Sequence, residues 1–207
     1  MGFDFDSGGG GAEGPWISWS ARGTQDGEIP AKSFYLRDEG KKTVLDAFNT
    51  GVVLDLDNMK TGWQQSEGVV GQAPDWKWNQ TIAHMMPAPG DDYKKGFEIR
   101  CAIGGGQAAT WQQAGAAVWN SFANLVPSLQ QQPAGKLPLV RMTSTKFVQF
   151  KRGSTVEPVL EVVKWVDRPD CLKADAVTIA TESAPAQQAQ QAQAAPQPAP
   201  VPTDTDF

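Results

Sequence analysis

The chain is poor in the residues that build metal, disulfide or histidine chemistry. Its 207 residues hold two cysteines, Cys101 and Cys171, and one histidine, His84. That supply argues against a disulfide-stapled scaffold, a zinc ribbon and a histidine-based metal site, and no cofactor is expected. Long apolar runs are missing too. No stretch reaches the roughly 18 uninterrupted apolar residues that a membrane-spanning helix needs. Residues 1–11 offer acids and glycines where a secretory signal would need an apolar run. Gly2 does not open a myristoylation signal, because the sixth residue is Asp6 rather than Ser or Thr. The expectation is a cytoplasmic protein with no membrane partner, built as one domain plus tails.

Charge is unevenly placed. The net charge of -5 belongs to the ends: the first 14 residues hold Asp4, Asp6 and Glu13 without a base, and residues 176–207 hold Glu182, Asp204 and Asp206 without a base. Setting those six acids aside leaves 18 bases against 17 acids, so the region between the tails is close to neutral and can carry a segregated basic surface. Residues 184–202 consist of 7 Ala, 6 Gln, 5 Pro and Val201. Such a segment has little bulky apolar surface to offset its ordering entropy, and its prolines interrupt any helix the alanines start. The reading is a flexible acidic, Gly-rich stretch over 1–14, a folded domain over 15–175, and a disordered linker with an acidic tip over 176–207.

Within the folded region, strand patterns outnumber helical ones. Residues 33–37, 51–57 and 97–103 read as strands, the second half-buried by its alternation. Thr110 and Gln113 have capping-box spacing, and Trp111, Val118, Trp119, Phe122 and Leu125 recur at helical intervals before Pro127, so one amphipathic helix is expected there. Residues 139–150 and 156–166 read as a terminal hairpin joined by residues 151–155. A mainly β fold follows. The order suits an oligonucleotide-binding-type (OB-fold-like) β-barrel with one attached helix, and a β-sandwich is the alternative. There is no internal repeat.

Marks of catalysis are faint. His84 stands beside Met85, Met86 and Pro87 with no partner at recognisable spacing, and reads as structural or solvent-exposed rather than as a general base. Gly104, Gly105 and Gly106 lack the lysine of a phosphate loop and the spacing of a dinucleotide fingerprint, so a turn is expected. The acids Asp55, Asp57, Asp91, Asp92 and Glu98, with Arg100 two residues beyond Glu98, leave a magnesium-dependent nuclease as an alternative. A non-catalytic adaptor or structural protein is a third.

Basic and aromatic interleaving is the richer signal. Between Lys136 and Arg152 lie five bases and no acid, with Phe147 and Phe150 among them. Single-stranded nucleic acid asks for that combination, because cations follow the phosphates and flat rings stack on bases of any identity. Arg141, Lys146, Lys151 and Arg152 are therefore the phosphate candidates, with Phe147 and Phe150 as stacking platforms. Eight tryptophans add to this. Trp111, Trp119 and Trp165 read as core. Trp63 lies in a polar stretch, and Trp76, Lys77 and Trp78 put two rings on one face of an extended segment with a cation opposite, so these four residues join the candidate interface.

A domain of this size, a linker of Gln, Pro and Ala, and the tip Thr203, Asp204, Thr205, Asp206 and Phe207 resemble the single-stranded DNA-binding proteins of bacteria and their phages. The ending of acid then phenylalanine is more similar to the phage type than to the bacterial one, in which a proline usually precedes the last residue. The resemblance implies protection of single-stranded DNA in replication, recombination and repair. It also implies recruitment of a polymerase, helicase, nuclease or recombinase through Asp204, Asp206 and Phe207, without catalysis, and a homodimer is compatible with it. A 32-residue tail spans about 30 Å root-mean-square, enough for the tip to compete with DNA for the domain's own groove.

Overall fold

The computed structural model describes residues 14–65, 74–82, 84–150 and 153–173. Ten strands form one sheet: β1 (Trp16–Ser20), β2 (Ser33–Asp38), β3 (Lys41–Val44), β4 (Val52–Leu54), β5 (Lys60–Gln65), β6 (Trp76–Trp78), β7 (Tyr93–Ile103), β8 (Gln107–Ala114), β9 (Lys136–Phe150) and β10 (Gly153–Asp167). Among the described residues the α-helices are α1 (Ala47–Thr50), α2 (Ala116–Ala123) and α3 (Val126–Leu129), of which α2 alone exceeds a single turn. The sheet runs β10-β9-β4-β7-β8-β1-β2-β3, with β5 pairing both β7 and the short β6. All these pairings are antiparallel except β1 with β8.

Period-two alternation decides which face is covered. On β7 the side chains of Phe97, Ile99, Cys101 and Ile103 are buried together, and on β8 Ala109 and Trp111 join them. Trp111 is fully buried and meets Phe34, Phe48 and Phe97 edge-on, while Phe34 and Phe48 stack 3.8 Å apart. Helix α2 closes this face with Val118 and Phe122, followed by Leu125. Burial pushes the Cys101 thiol well above its ordinary pKa, so Cys101 packs as a small inert apolar residue.

The sheet is curled rather than flat. Two register shifts in the β9–β10 hairpin, between Val159 and Leu160 and between Val162 and Lys164, bend it. The bend brings the tip of β10 back to the end of β1, five positions away in the strand order. There the indole Nε1 of Trp19 donates to the carbonyl of Val156 (3.1 Å) and Arg22 donates to the carbonyl of Ser154 (2.7 Å). The result is a half-barrel with α2 across its filled side.

Several expectations are corrected in detail. Thr110 and Gln113 do not cap a helix: they lie on β8, where Trp111 alternates inward with Thr110 and Gln112 on the other face. The helix begins only after Gly115, whose φ of 121° ends the strand, because two-residue alternation up to Ala114 satisfies the sheet on both sides. The expected half-buried strand 51–57 shortens to β4. All three of its residues are buried because it lies between β7 and β9, and a turn at Leu56–Asn58 follows. Gly104–Gly106 is the expected turn, with Gly105 and Gly106 at φ of 76° and 77°. The hairpin opposes Phe150 to Gly153, so its loop is shorter than expected.

A small second cluster packs Leu172, just beyond β10, onto Val53, Ala102 and Leu137 on the face opposite the main core. Arg168 anchors this C-terminal strap. It donates to Asp55 (2.7 Å), which is 1% exposed, and to Asp57. Arg168→Ala would leave the Asp55 charge buried and half-paired, and should cost about 3 kcal/mol or more in chemical denaturation. Adding Asp55→Asn to that variant should recover part of the loss. Trp111→Ala should cost about 3–5 kcal/mol in the same measurement.

Candidate nucleic-acid interface

The face of the sheet opposite the main core carries rings that belong to neither apolar cluster. Residues directly opposite one another share a face, so the registers assemble it row by row. One row holds Trp76, Gln64 and Lys94, the next Trp78, Gly62, Gly96 and Ala114, and the next Lys60, Glu98 and Gln112. On the other side of β5 and β7, Trp63 lines up with Lys77 and Lys95.

Trp76 and Trp78 stack on each other with ring centroids 4.4 Å apart and planes 8° from parallel, and Lys60 Nζ lies 5.8 Å from the Trp78 ring centre. Two glycines make this possible. A Cβ at Gly62 would fall 2.4 Å from the Lys77 carbonyl oxygen, and one at Gly96 would fall 2.7 Å from the Trp76 ring. The bare backbone of β5 and β7 is thus the floor on which β6 and its rings sit. Lys77, on the reverse side of β6, pairs with Asp75 at 3.0 Å, and Asp75 also accepts from the Tyr93 hydroxyl (2.9 Å). The carboxylate raises the pKa of both Lys77 and Tyr93, and its own is lowered by the same bonds.

The other sequence candidates take different places. Trp63 is 9% exposed, and its indole donates to the Met86 carbonyl (2.9 Å). It anchors a loop, with Lys95 5.6 Å over its ring and 6.0 Å over that of Trp119. Of the residues expected in the core, Trp111 is central, Trp119 packs at its margin and Trp165 is half-buried outside both clusters. On the hairpin, Phe147 is 65% exposed and Arg141 is exposed, while Lys146 points its ammonium at the buried Glu157, 3.7 Å away. Lys151, Arg152, Asp204, Asp206 and Phe207 lie outside the described residues, as does the whole expected linker.

Phe150 is where the hairpin meets the sheet. With Trp19, Lys94, Gln113 and the first turn of α2 it lines a pocket of about 320 Å³. Ala114 forms another part of the wall. A Cβ at Gly96 would lie 2.8 Å from the Ala114 Cβ and 2.7 Å from Trp76, so the pocket and the tryptophan stack are neighbours. Lys94, which the sequence reading passed over, stands at this junction: it lines the pocket and shares a row with Trp76.

Four of the five acids considered for a metal centre, Asp91 being the other, are engaged in side-chain bonds. Asp55 and Asp57 hold Arg168; Glu98 accepts from Lys60 (2.9 Å) and Gln112 (2.6 Å); Asp92 accepts from Gln65 (2.8 Å). Among the described residues no group of three or more His, Cys, Asp or Glu is gathered as a metal ion requires, and no helix is long and apolar enough to cross a membrane. His84 is exposed and makes an isolated bridge with Thr81.

Comparison with protein-family models, curated proteins and solved structures finds no match to this chain.

The two glycines give the interface its own test. Gly62→Ala should push β6 away from β5 and change the near-ultraviolet circular dichroism of the tryptophans, with a small effect on melting because, among the described residues, β6 pairs with β5 alone. Gly96→Ala also meets the Gln113 carbonyl oxygen at 2.7 Å inside the sheet, and should lower the melting temperature by several degrees more.

Proposed function

We propose that the protein binds single-stranded DNA through the open face of its sheet, largely without regard to sequence, and does not catalyse a reaction. The observation that carries this reading is the parallel Trp76–Trp78 pair, placed outside both apolar clusters between Lys60 and Lys94. Rings that contribute to no core leave apolar area in water, a cost that stacking against bases would offset. The cations beside them are spaced to meet the phosphates of the same strand. The pocket lined by Phe150 and Lys94 lies at the α2 edge of the sheet, next to the stack rather than on the open face, and Lys151 and Arg152 follow Phe150 in the sequence.

The half-barrel with its helix is compatible with an oligonucleotide-binding fold, and the C-terminal linker and tip with a phage-type single-stranded DNA-binding protein acting in replication, recombination or repair. Leu172 packs on Val53 and Ala102, so the chain leaves the domain from the same side of the sheet as the tryptophan stack. A tail such as the sequence of 176–207 leads one to expect, with a span of about 30 Å, would bring Asp204, Asp206 and Phe207 within reach of the open face. The tip would compete for that face when DNA is absent, and would offer one exposed ring flanked by carboxylates to the basic, apolar pocket of a replication or recombination protein when DNA is bound.

Titration with poly(dT) should quench tryptophan fluorescence, and duplex DNA should do so far less. Trp78→Ala should weaken binding by about 1–3 kcal/mol, and Lys94→Ala should reduce the slope of log affinity against log salt by about 0.7. Unchanged fluorescence and no retention of poly(dT) at low salt would refute the reading.

A further inference from the structure

The same registers gather a second set of residues on the open face of the sheet. Arg100 on β7 lies opposite Thr110 on β8, Thr110 is in register with Trp16 on β1, and Trp16 lies opposite Arg37 on β2. These four residues therefore form one row across four strands, on the face that carries Trp76 and Trp78. Tyr35 is two residues along β2 from Arg37 and shares that face. Trp16 and Tyr35 are part-exposed, Arg37 is exposed, and neither ring belongs to either apolar cluster.

We propose that Trp16, with Arg37 and Arg100 on either side, is a second stacking and phosphate-binding platform for the same single strand. The polynucleotide would then cross the sheet diagonally from β6 to β2. This rests on the reading of the open face as the DNA site, and fixes the path and the length of strand covered.

The surface between the two platforms suits such a path. It is floored by Ala114, Ser18, the buried Thr110 and Gln112, whose amide is held by Glu98, while Gly96 lies beneath the Trp76 ring. Its cations outnumber its carboxylates: the face of β5–β8, β1 and β2 presents Lys60, Lys94, Arg100 and Arg37, with Glu98 among them and Asp55 beside Arg100 on β4's side, where the Asp55 N–H donates to the Arg100 carbonyl. Glu98 is engaged by Lys60 and Gln112, and Asp55 by Arg168 and Asn58.

Geometry sets the span. From the row of Trp78 to that of Trp16 is four residues along β7, about 13 Å, and from β6 to β1 is four strand spacings, about 19 Å. The diagonal is roughly 23 Å, or about seven phosphates at the duplex spacing of 3.4 Å and fewer in a stretched strand. A hairpin-centred site would instead leave β1 and β2 uncovered.

The test is an oligonucleotide length series from dT3 to dT12 with the full chain. The wild type should gain about tenfold or more in affinity as the oligomer becomes long enough to reach Trp16. Trp16→Ala and, separately, Arg37→Ala should lose that gain and still bind the shortest oligomers as the wild type does. Trp78→Ala should weaken binding at every length. Arg37 is exposed, so its variant carries the test even if Trp16→Ala folds poorly. If both Trp16→Ala and Arg37→Ala match the wild type within twofold at every length while Trp78→Ala does not, the second platform is overturned and the first stands. If the wild type binds no oligomer at any length, the DNA reading fails and this inference with it.

Discussion

The structure depends on a knot of aromatic rings on one side of a single sheet. Trp111 sits at its centre, touching Phe34, Phe48 and Phe97, and the rest of the core packs outward from these contacts. Because this knot and α2 concentrate the apolar burial on one face, the sheet does not need its second face covered to be stable. One part of that second face is covered by Leu172 beside the Arg168 clamp, and Thr110 and Glu98 are buried among their neighbours on it, while Trp76, Trp78, Lys60 and Lys94 reach water. The division of labour between the two faces is therefore set by strand alternation, and it is what gives the molecule an exposed, ring-bearing surface at all.

Much of the fold was legible in the sequence where alternation is local. The terminal hairpin, the strand around 97–103 and the turn at Gly104–Gly106 follow from runs of β-branched residues and from glycines at positive φ. The pairing of Trp76 with Trp78 on one face follows from spacing alone. Trp111 was misplaced because, between Thr110 and Leu125, strand alternation runs directly into a helix and the two periods share several apolar positions. The shortened β4 shows the same limit: burial on both faces comes from β7 and β9, neither of which is near it in sequence.

The proposed interface is half legible in the sequence. Two tryptophans around a lysine are visible to the eye, but Lys60, Lys94 and Trp16 become partners only through long-range registers joining β5 to β7, β7 to β8 and β8 to β1. The reverse holds for Trp63, whose polar neighbours suggest exposure and whose ring is instead tucked under the Met86 loop. On the hairpin, Lys146 faces a buried carboxylate, which no local pattern reveals. The centre of gravity of the proposed site thus moves from the hairpin to the sheet, with Phe150 as the hinge between them.

The central claim is that an unpaired strand lies on the open face rather than along the hairpin. Photochemical cross-linking with a halogenated-uracil oligonucleotide, followed by peptide mapping, tests it most directly. The account predicts adducts on the peptides containing Trp76 and Trp78, and on that containing Trp16. Adducts confined to the peptide of Phe147 and Phe150, or none formed with a strand that the protein demonstrably binds, would contradict it.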